Sequence, residues 1–182
     1  MSNGTISAIL AGSSAALVKD TTNTVTLTGA NTYGGGTTVT DGTLTLTGVA
    51  ATLGASGGSL VVDANYSGTA ILSLGTASPT VGTVSLLNGG QITSSTGTLT
   101  GTAFNVESGS ITAKLAGSGS LTKANTGTVT ISGTNSYTGL TQVNAGVLQF
   151  TKVASLPGQT TVGQIRVAGG ATLGLNLSLI HI

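Results

Sequence analysis

Residues 17–46 read LVKDTTNTVTLTGANTYGGGTTVTDGTLTL, and residues 121–150 read LTKANTGTVTISGTNSYTGLTQVNAGVLQF. The two segments align without a gap, and about half of their positions are identical. The preceding residues also agree, with ISAILAGSSAA before the first segment and ITAKLAGSGS before the second. An internal repeat marks a unit that cannot bury its apolar face alone, so stacking of neighbouring units is the first architecture to consider.

The repeated unit alternates between apolar and polar residues. Val25 and Leu27 are flanked by threonines, a period of two that predicts a half-buried strand. Residues 31–35 and 41–42 contain Asn, Asp and Gly, which are typical of turns, and residues 37–39 begin the next strand between them. The other inward positions predicted in the two copies are Leu44, Leu46, Val129, Ile131, Val143, Leu148 and Phe150.

Short strands with turns this close favour a solenoid, in which each coil stacks its strands in parallel on the previous coil, about 4.8 Å away. Residues 49–110 continue the pattern less regularly, and residues 163–176 predict two more strands. Pro79 and Pro157 are expected in loops, because proline cannot donate to a ladder. The sequence therefore predicts an all-β parallel solenoid.

The composition excludes several classes of protein. Charged residues make up 5% of the chain, against roughly 25% in typical soluble domains, and the net charge is +1. Disorder driven by charge repulsion does not fit a positive mean hydropathy of +0.42. The five basic residues are scattered, which argues against a nucleic-acid partner. The chain has no cysteine, which excludes disulfides and thiolate metal sites.

The two segments resemble the autotransporter-associated β-strand repeat. Leu140 departs from that pattern, which usually has glycine there. The matching positions are Leu17, Lys19, Gly29, Asn31, Tyr33, Gly35, Thr37, Val39, Gly42 and Leu44, and again Leu121, Lys123, Gly133, Asn135, Tyr137, Gly139, Thr141, Val143, Gly146 and Leu148.

The resemblance implies a right-handed, single-stranded parallel β-helix of the pectin-lyase-like type. It further implies a passenger of type V secretion in Gram-negative bacteria, exported through a C-terminal outer-membrane β-barrel of the same polypeptide. Such a passenger is exposed at the cell surface or secreted. The barrel itself is not expected within these 182 residues, which lack its roughly ten-residue alternating strands and aromatic girdles.

We interpret residues 1–176 as a passenger fragment, with repeats at about 6–48 and 111–152. Neither end reads as a polar cap, which solenoids need, so natural caps are not expected in this stretch. Residues 177–182, LSLIHI, break the Thr/Gly style and hold the only histidine. Since LSLIHI is also the translation of a common sequencing adapter, we interpret these six residues as an assembly scar.

Catalysis is not predicted. Glycoside hydrolysis needs two carboxylates about 5–10 Å apart, and the chain has four acids, Asp20, Asp41, Asp63 and Glu107. Asp41 and Asp63 lie close enough to one coil length to stack, but no basic residue accompanies them. His181 falls in the suspected scar. No catalytic, cofactor-binding or metal-binding residues are therefore assigned, and no cofactor is expected.

Two further residue types recur at equivalent repeat positions. Lys19 and Lys123 are expected as solvated lysines beside a turn, where they would discourage edge pairing. Tyr33 and Tyr137 are expected to stack over a turn, with carbohydrate binding as the alternative. Sequons at Asn3, Asn65 and Asn176 are interpreted as chance occurrences in a Ser/Thr-rich chain.

The leading functional hypothesis is a structural or adhesive segment that acts as a rigid stalk or binding surface. Its expected partners are host or neighbouring-cell surface molecules or glycans. One alternative is a piece of a carbohydrate-active β-helix enzyme whose active coil lies elsewhere. The other is an ice-binding solenoid with outward threonine ladders. The Thr-x-Thr segments that suggest such ladders are 24–26, 43–45, 98–100 and 128–130.

Overall fold

A computed structural model describes residues 3–65 and 68–175 of the chain. The chain forms a parallel β-solenoid of about eight turns, which confirms the predicted fold class. Among the described residues, the one helical segment is a 3₁₀ turn, Val153–Ser155. The strands are β1 (Gly4–Ile6), β2 (Leu17–Leu27), β3 (Thr37–Leu46), β4 (Leu60–Asp63), β5 (Ala70–Ser73), β6 (Thr83–Leu87), β7 (Gly90–Thr93), β8 (Thr98–Thr100), β9 (Ala103–Val106), β10 (Gly109–Ile111), β11 (Lys114–Ala116), β12 (Ser120–Lys123), β13 (Thr128–Ile131), β14 (Thr141–Val143), β15 (Val147–Phe150), β16 (Ile165–Val167) and β17 (Thr172–Leu175).

Most strands belong to two parallel stacks. The first stack contains the start of β2 and β3, followed by β4, β6, β9, β12, β14 and β16. The second stack contains β1, the ends of β2 and β3, and then β5, β7, β10, β13, β15 and β17. β2 and β3 run through both stacks because each continues around the corner between them. β8 and β11 pair separately and lie on a third side of each coil.

The core of the second stack is a column of apolar side chains. Each member pairs in register with the next one along the solenoid axis, and all of them are buried. Every coil therefore contributes the same inward position to one continuous apolar interior. The column consists of Leu44, Leu72, Ile92, Ile111, Ile131 and Phe150.

The repeats do not correspond to single coils. In the second copy, Leu121 pairs with Thr141, and Val129 pairs with Leu148. Each 30-residue copy thus passes twice through both stacks. Between these two passages the chain crosses the third side once. The sequence predicted the turn at residues 41–42, but β3 continues through it as a corner rather than ending there.

Glycine at the corner is required by both space and backbone conformation. Gly146 has a φ of +65°, and a Cβ there would lie 2.4 Å from the carbonyl oxygen of Gly127 on the preceding coil. Gly42 at the same position of the first repeat has a φ of +63°, and its Cβ would lie 2.3 Å from the carbonyl oxygen of Thr21. A side chain at this position is therefore strained and also collides with backbone.

We expect Gly146→Ala to lower the free energy of unfolding by about 2–3 kcal/mol, because it adds a steric clash to an unfavourable φ. Gly48 has a φ of +90°, but a Cβ there would meet nothing within 4 Å, so Gly48→Ala should cost about 1 kcal/mol. Gly57 has neither constraint, and its replacement by Ala should be nearly neutral. Urea unfolding of the three variants measures this order, and equal losses would contradict it.

Candidate functional site: the repeat motif and the outward faces

The two repeat lysines are buried, so the expectation that they are solvated is wrong. Lys19 is 4% exposed, and Lys123 is fully buried. Lys123 pairs with Val106 on one side and Val143 on the other, so it occupies an inward position of a column that is apolar except for the two repeat lysines. The alternation in Leu121-Thr122-Lys123 already placed the lysine on the same face as the buried leucine.

The buried amines serve the corner between the two stacks. Lys123 Nζ donates hydrogen bonds to the carbonyl oxygens of Asn125 and Ala145, the latter at 3.3 Å and on the next coil. Lys19 Nζ donates to the carbonyl oxygens of Thr21 and Asp41, the latter at 2.8 Å. Each lysine therefore joins two successive coils by donating to main-chain carbonyls at the corner.

The environment of these amines changes their acidity. Burial lowers the pKa of Lys123, although the charge of Glu107 acts in the opposite direction. Burial likewise lowers the pKa of Lys19, against the charges of Asp41 and Asp20. Between the lowered pKa of the folded state and the ordinary value of 10.5, the unfolded chain binds more protons. These two lysines therefore make stability rise with pH in that interval.

The repeat asparagines connect three coils. Asn135 Oδ1 accepts a hydrogen bond from the amide of Leu115 at 2.8 Å, and Asn135 Nδ2 donates to the carbonyl of Ser155 at 2.5 Å. Asn31 makes the same pair of contacts, with the amide of Leu10 at 2.9 Å and the carbonyl of Thr52 at 3.0 Å. A side-chain amide suits this position because it both accepts and donates.

The repeat tyrosines lie inside the solenoid. Tyr137 is 1% exposed, its hydroxyl lies 2.8 Å from Thr141 Oγ1, and its ring centroid lies 5.8 Å from that of Phe104. Tyr33 is 2% exposed, with its hydroxyl 2.7 Å from Thr37 Oγ1. Rings that are covered in this way present no face to a sugar, so the carbohydrate-binding alternative for these two residues is wrong.

Burial raises the pKa of both repeat tyrosines and so makes stability depend on pH. It raises the pKa of Tyr137 to about 12, while the hydrogen bond with Thr141 lowers it slightly. Between pH 10 and 12 the unfolded chain loses the phenolic proton first, so folding stability should fall by about 2–3 kcal/mol as pH rises through this interval. Urea unfolding at a series of pH values measures the fall. Tyr137→Phe should remove most of it, and an unchanged slope in that variant would contradict the assignment.

All four carboxylates lie at the corner between the two stacks, with Asp20, Asp41 and Asp63 inside β2, β3 and β4 and Glu107 directly after β9. Asp41 aligns with Asp20 on the preceding coil rather than with Asp63, because Val39 pairs with Val62. Asp63 Oδ1 accepts a hydrogen bond from Asn88 Nδ2 at 2.8 Å.

Glu107 Oε2 likewise accepts from Asn125 Nδ2 at 2.9 Å. Among residues 3–65 and 68–175, no three His, Cys, Asp or Glu side chains come together to hold a metal ion.

The Thr-x-Thr segments do not form one array. Residues 24–26 stack in register under residues 43–45 in the second stack. Residues 98–100 lie on the third side, and in residues 128–130 it is Thr130 that aligns with Ser110 of the second stack. A single outward column of hydroxyls instead continues over the coils, at Thr5, Thr26, Thr45, Ser73, Thr93, Thr112, Ser132 and Thr151.

The remaining sequence candidates are distributed as follows. Asn3 is exposed, and its Oδ1 accepts a hydrogen bond from the amide of Thr24 at 2.9 Å. Asn65 is also exposed and donates its backbone amide to Asp63. His181 and the sequon at Asn176 lie outside the described residues. No helix within the described part of the chain is long and apolar enough to cross a membrane.

Most inward repeat positions are the same in both copies, although the buried Leu27 and Leu46 correspond to Ile131 and Phe150, and several outward positions differ. The pairs Lys19 and Lys123, Asn31 and Asn135, and Tyr33 and Tyr137 are internal and identical. Outward positions such as Val18 and Thr122, or Thr38 and Gln142, carry different side chains. The motif therefore specifies the fold, and any recognition must come from the outward faces.

Residues 17–46 and 121–150 match the passenger-associated-transport-repeat family. No curated protein and no solved structure matches the chain. The family match covers the same two segments as the internal repeat, and its positions include the buried lysine, asparagine and tyrosine described above.

Proposed function

We propose that this chain, in which residues 17–46 and 121–150 match the passenger-associated-transport-repeat family, is an autotransporter-type passenger segment that serves as a rigid stalk with adhesive outward faces. The partners would be host or neighbouring-cell surface molecules or glycans. Passengers of this family are exported to the cell surface or secreted, and the proposal includes that location for this chain.

The observation that carries the proposal is the continuity of the interior. The apolar column of the second stack continues through successive coils, and Asn135 and Lys123 join their own coils to neighbouring ones by side-chain hydrogen bonds. No buried side-chain nitrogen or oxygen of the described residues lacks a hydrogen-bond partner. A solenoid with such an interior resists bending, and its repeated outward positions allow weak contacts to add up.

A distance measurement between two spin labels tests rigidity directly. The chain has no native cysteine, so Thr26→Cys and Thr151→Cys can be labelled selectively. These positions lie in one column, six coils apart, so their backbone separation should be about 29 Å at a rise of about 4.8 Å per coil. A rigid stalk predicts one narrow distance distribution, unchanged at moderate urea concentrations. A broad or multimodal distribution would reject the stalk.

Adhesion is tested separately on the parent cells. Antibody against the folded chain should label intact cells, and the purified chain should compete with those cells for attachment to host tissue or to neighbouring cells. Absence of surface label and of competition would exclude the adhesive role while leaving the rigidity result valid.

A further inference from the structure

A shallow groove follows the corner between the second stack and the third side. Its lining includes Lys114, Lys152, Thr96, Thr112, Ser132 and Thr134, and its volume is about 240 Å³. We refer to it as the lysine groove. It runs along the solenoid axis across four successive coils, and of its lining only Ser132, Gly133 and Thr134 lie within a repeat segment.

The groove is concave because glycines form its floor. A Cβ at Gly97 would lie 2.0 Å from the carbonyl oxygen of Ala77, and a Cβ at Gly133 would lie 2.1 Å from that of Ala113. Neither position can take a side chain without moving the coil below it. The floor is therefore backbone, with the longer polar side chains around it.

The two lysines are exposed and are spaced along the axis. Lys114 and Lys152 each follow a strand of the second stack, and these strands lie two coils apart, since Ile111 pairs with Ile131 and Ile131 pairs with Phe150. At a rise of about 4.8 Å per coil, the spacing along the axis is about 10 Å. The side chains are long enough to meet two anionic groups of one extended ligand.

The acidic side chains and the two lysines of the groove lie at different corners of the solenoid. All four carboxylates line the corner between the first and second stacks, whereas Lys114 and Lys152 line the lysine groove. The groove is therefore a site of positive potential in a molecule whose net charge is only +1. Hydroxyls of Thr96, Thr112 and Thr134 surround the two amines, and all three residues are exposed.

We propose that the lysine groove binds an acidic polysaccharide, with uronate carboxylates on Lys114 and Lys152 and sugar hydroxyls on the surrounding threonines. A polyhydroxylated chain with regularly spaced anionic groups matches both components of the lining, and it extends along the same axis as the groove. Single-stranded nucleic acid fits less well, because the groove offers no aromatic platform for bases and only two cations.

Each contact is solvent-exposed, so one groove should bind a short oligosaccharide weakly, with a Kd of about a millimolar. Several chains or several grooves on one surface would raise the apparent affinity by avidity. The groove would bind whether or not the solenoid acts as a stalk, so this inference goes beyond the proposed function and can fail independently of it.

The test is a nuclear magnetic resonance titration of the isotopically labelled chain with a homogeneous oligogalacturonate of six sugars. We expect saturable shifts of backbone amides at Gly97, Gly133 and Thr134. A neutral malto-oligosaccharide of the same length should give no saturable shift at these amides. Shifts spread over the whole surface, or equal binding of the neutral sugar, would overturn the proposal.

Variants that remove positive charge inside or outside the groove test whether Lys114 and Lys152 contact the ligand. The double variant Lys114→Gln and Lys152→Gln should weaken binding by about tenfold or more, since both anion contacts are lost. Arg166 is an exposed cation in β16, outside the groove, so Arg166→Gln serves as the control and should change Kd by less than about twofold. Equal losses in the single Arg166→Gln and Lys152→Gln variants would indicate a general charge effect and reject the groove as the binding site.

Three competing anions complete the experiment. If oligothymidylate binds at the same amides more tightly than oligogalacturonate, the acidic polysaccharide is rejected in favour of nucleic acid. Free galacturonate monomer and inorganic phosphate distinguish recognition of a chain from recognition of a lone anion. If either saturates the groove at the same concentration as the oligomer, the polysaccharide proposal is wrong. Circular dichroism of each variant verifies that the exposed substitutions leave the solenoid folded.

Discussion

Replacing Lys123 by Ala should lower the free energy of unfolding by about 4 kcal/mol. The substitution removes the amine that satisfies the carbonyls of Asn125 and Ala145, and it leaves a cavity in the apolar column between Val106 and Val143. A buried carbonyl without a partner costs about 1–3 kcal/mol, and loss of the packed aliphatic stem adds to that cost. Chemical unfolding followed by circular dichroism measures the change.

Lys123→Met separates the two contributions. Methionine fills most of the space of the stem but cannot donate, so about half of the loss should remain. Lys114→Ala is the matched control at an exposed lysine, where a change within about 0.5 kcal/mol is expected. If Lys123→Ala resembled Lys114→Ala, the amine would not be stabilising the corner, and the buried position of Lys123 would be wrong.

Tyr137→Ala should cost about 4 kcal/mol, the second large effect. The ring is 1% exposed and packs against Phe104, so its removal leaves a cavity that the surrounding coils cannot fill without moving. Truncation of a buried aromatic residue to alanine typically costs about 3–5 kcal/mol. Urea unfolding of the variant measures the loss, with the far-ultraviolet β signal reporting on the whole solenoid.

Tyr137→Phe is the control at the same position. It keeps the ring and removes only the hydroxyl that contacts Thr141 Oγ1 at 2.8 Å, so a loss of about 1 kcal/mol is expected. A loss in Tyr137→Phe as large as that in Tyr137→Ala would mean that the hydrogen bond, and not ring packing, dominates at this position.

Unfolding of these variants should also reveal how strongly the coils are coupled. Each coil contacts its neighbours along the axis, so stability in such a protein is approximately a sum over coils and their interfaces. Lys123 and Tyr137 lie in one repeat and contact opposite ends of β14, since Lys123 pairs with Val143 and the Tyr137 hydroxyl lies 2.8 Å from Thr141 Oγ1. The double variant should therefore lose less than the sum of the two single losses, because the first substitution already loosens the shared interface.

Much of the fold was predictable from alternation and turn residues. The short strands of residues 49–110 and the last two strands were predicted and are present, and the alternating pattern correctly placed Leu27, Leu44 and Leu46 inside. Both prolines lie outside the strands, as expected. These features are local, since a period of two and a glycine-rich turn depend only on neighbouring residues.

The positions of the repeat lysines and tyrosines were predicted less well. Lys19 and Lys123 were expected in solvent because lysine is almost never fully buried without partners. Their partners are main-chain carbonyls, one two residues away and one on the next coil 22 residues away, and a carbonyl carries no sequence signal. The alternation in residues 17–19 and 121–123 indicates an inward lysine, but the general preference of lysine for solvent favours the opposite prediction.

The sequence by itself determined that the chain is a parallel β-solenoid, where most of its strands lie, and which apolar side chains face inward, because these follow from periodicity and internal repetition. Only the tertiary structure decided which coil lies against which. Pairing in register aligned Asp41 with Asp20, separated the Thr-x-Thr segments, and brought Lys114 and Lys152 to one groove. Coil lengths vary along the chain, so contacts between coils depend on cumulative register, which no local pattern specifies.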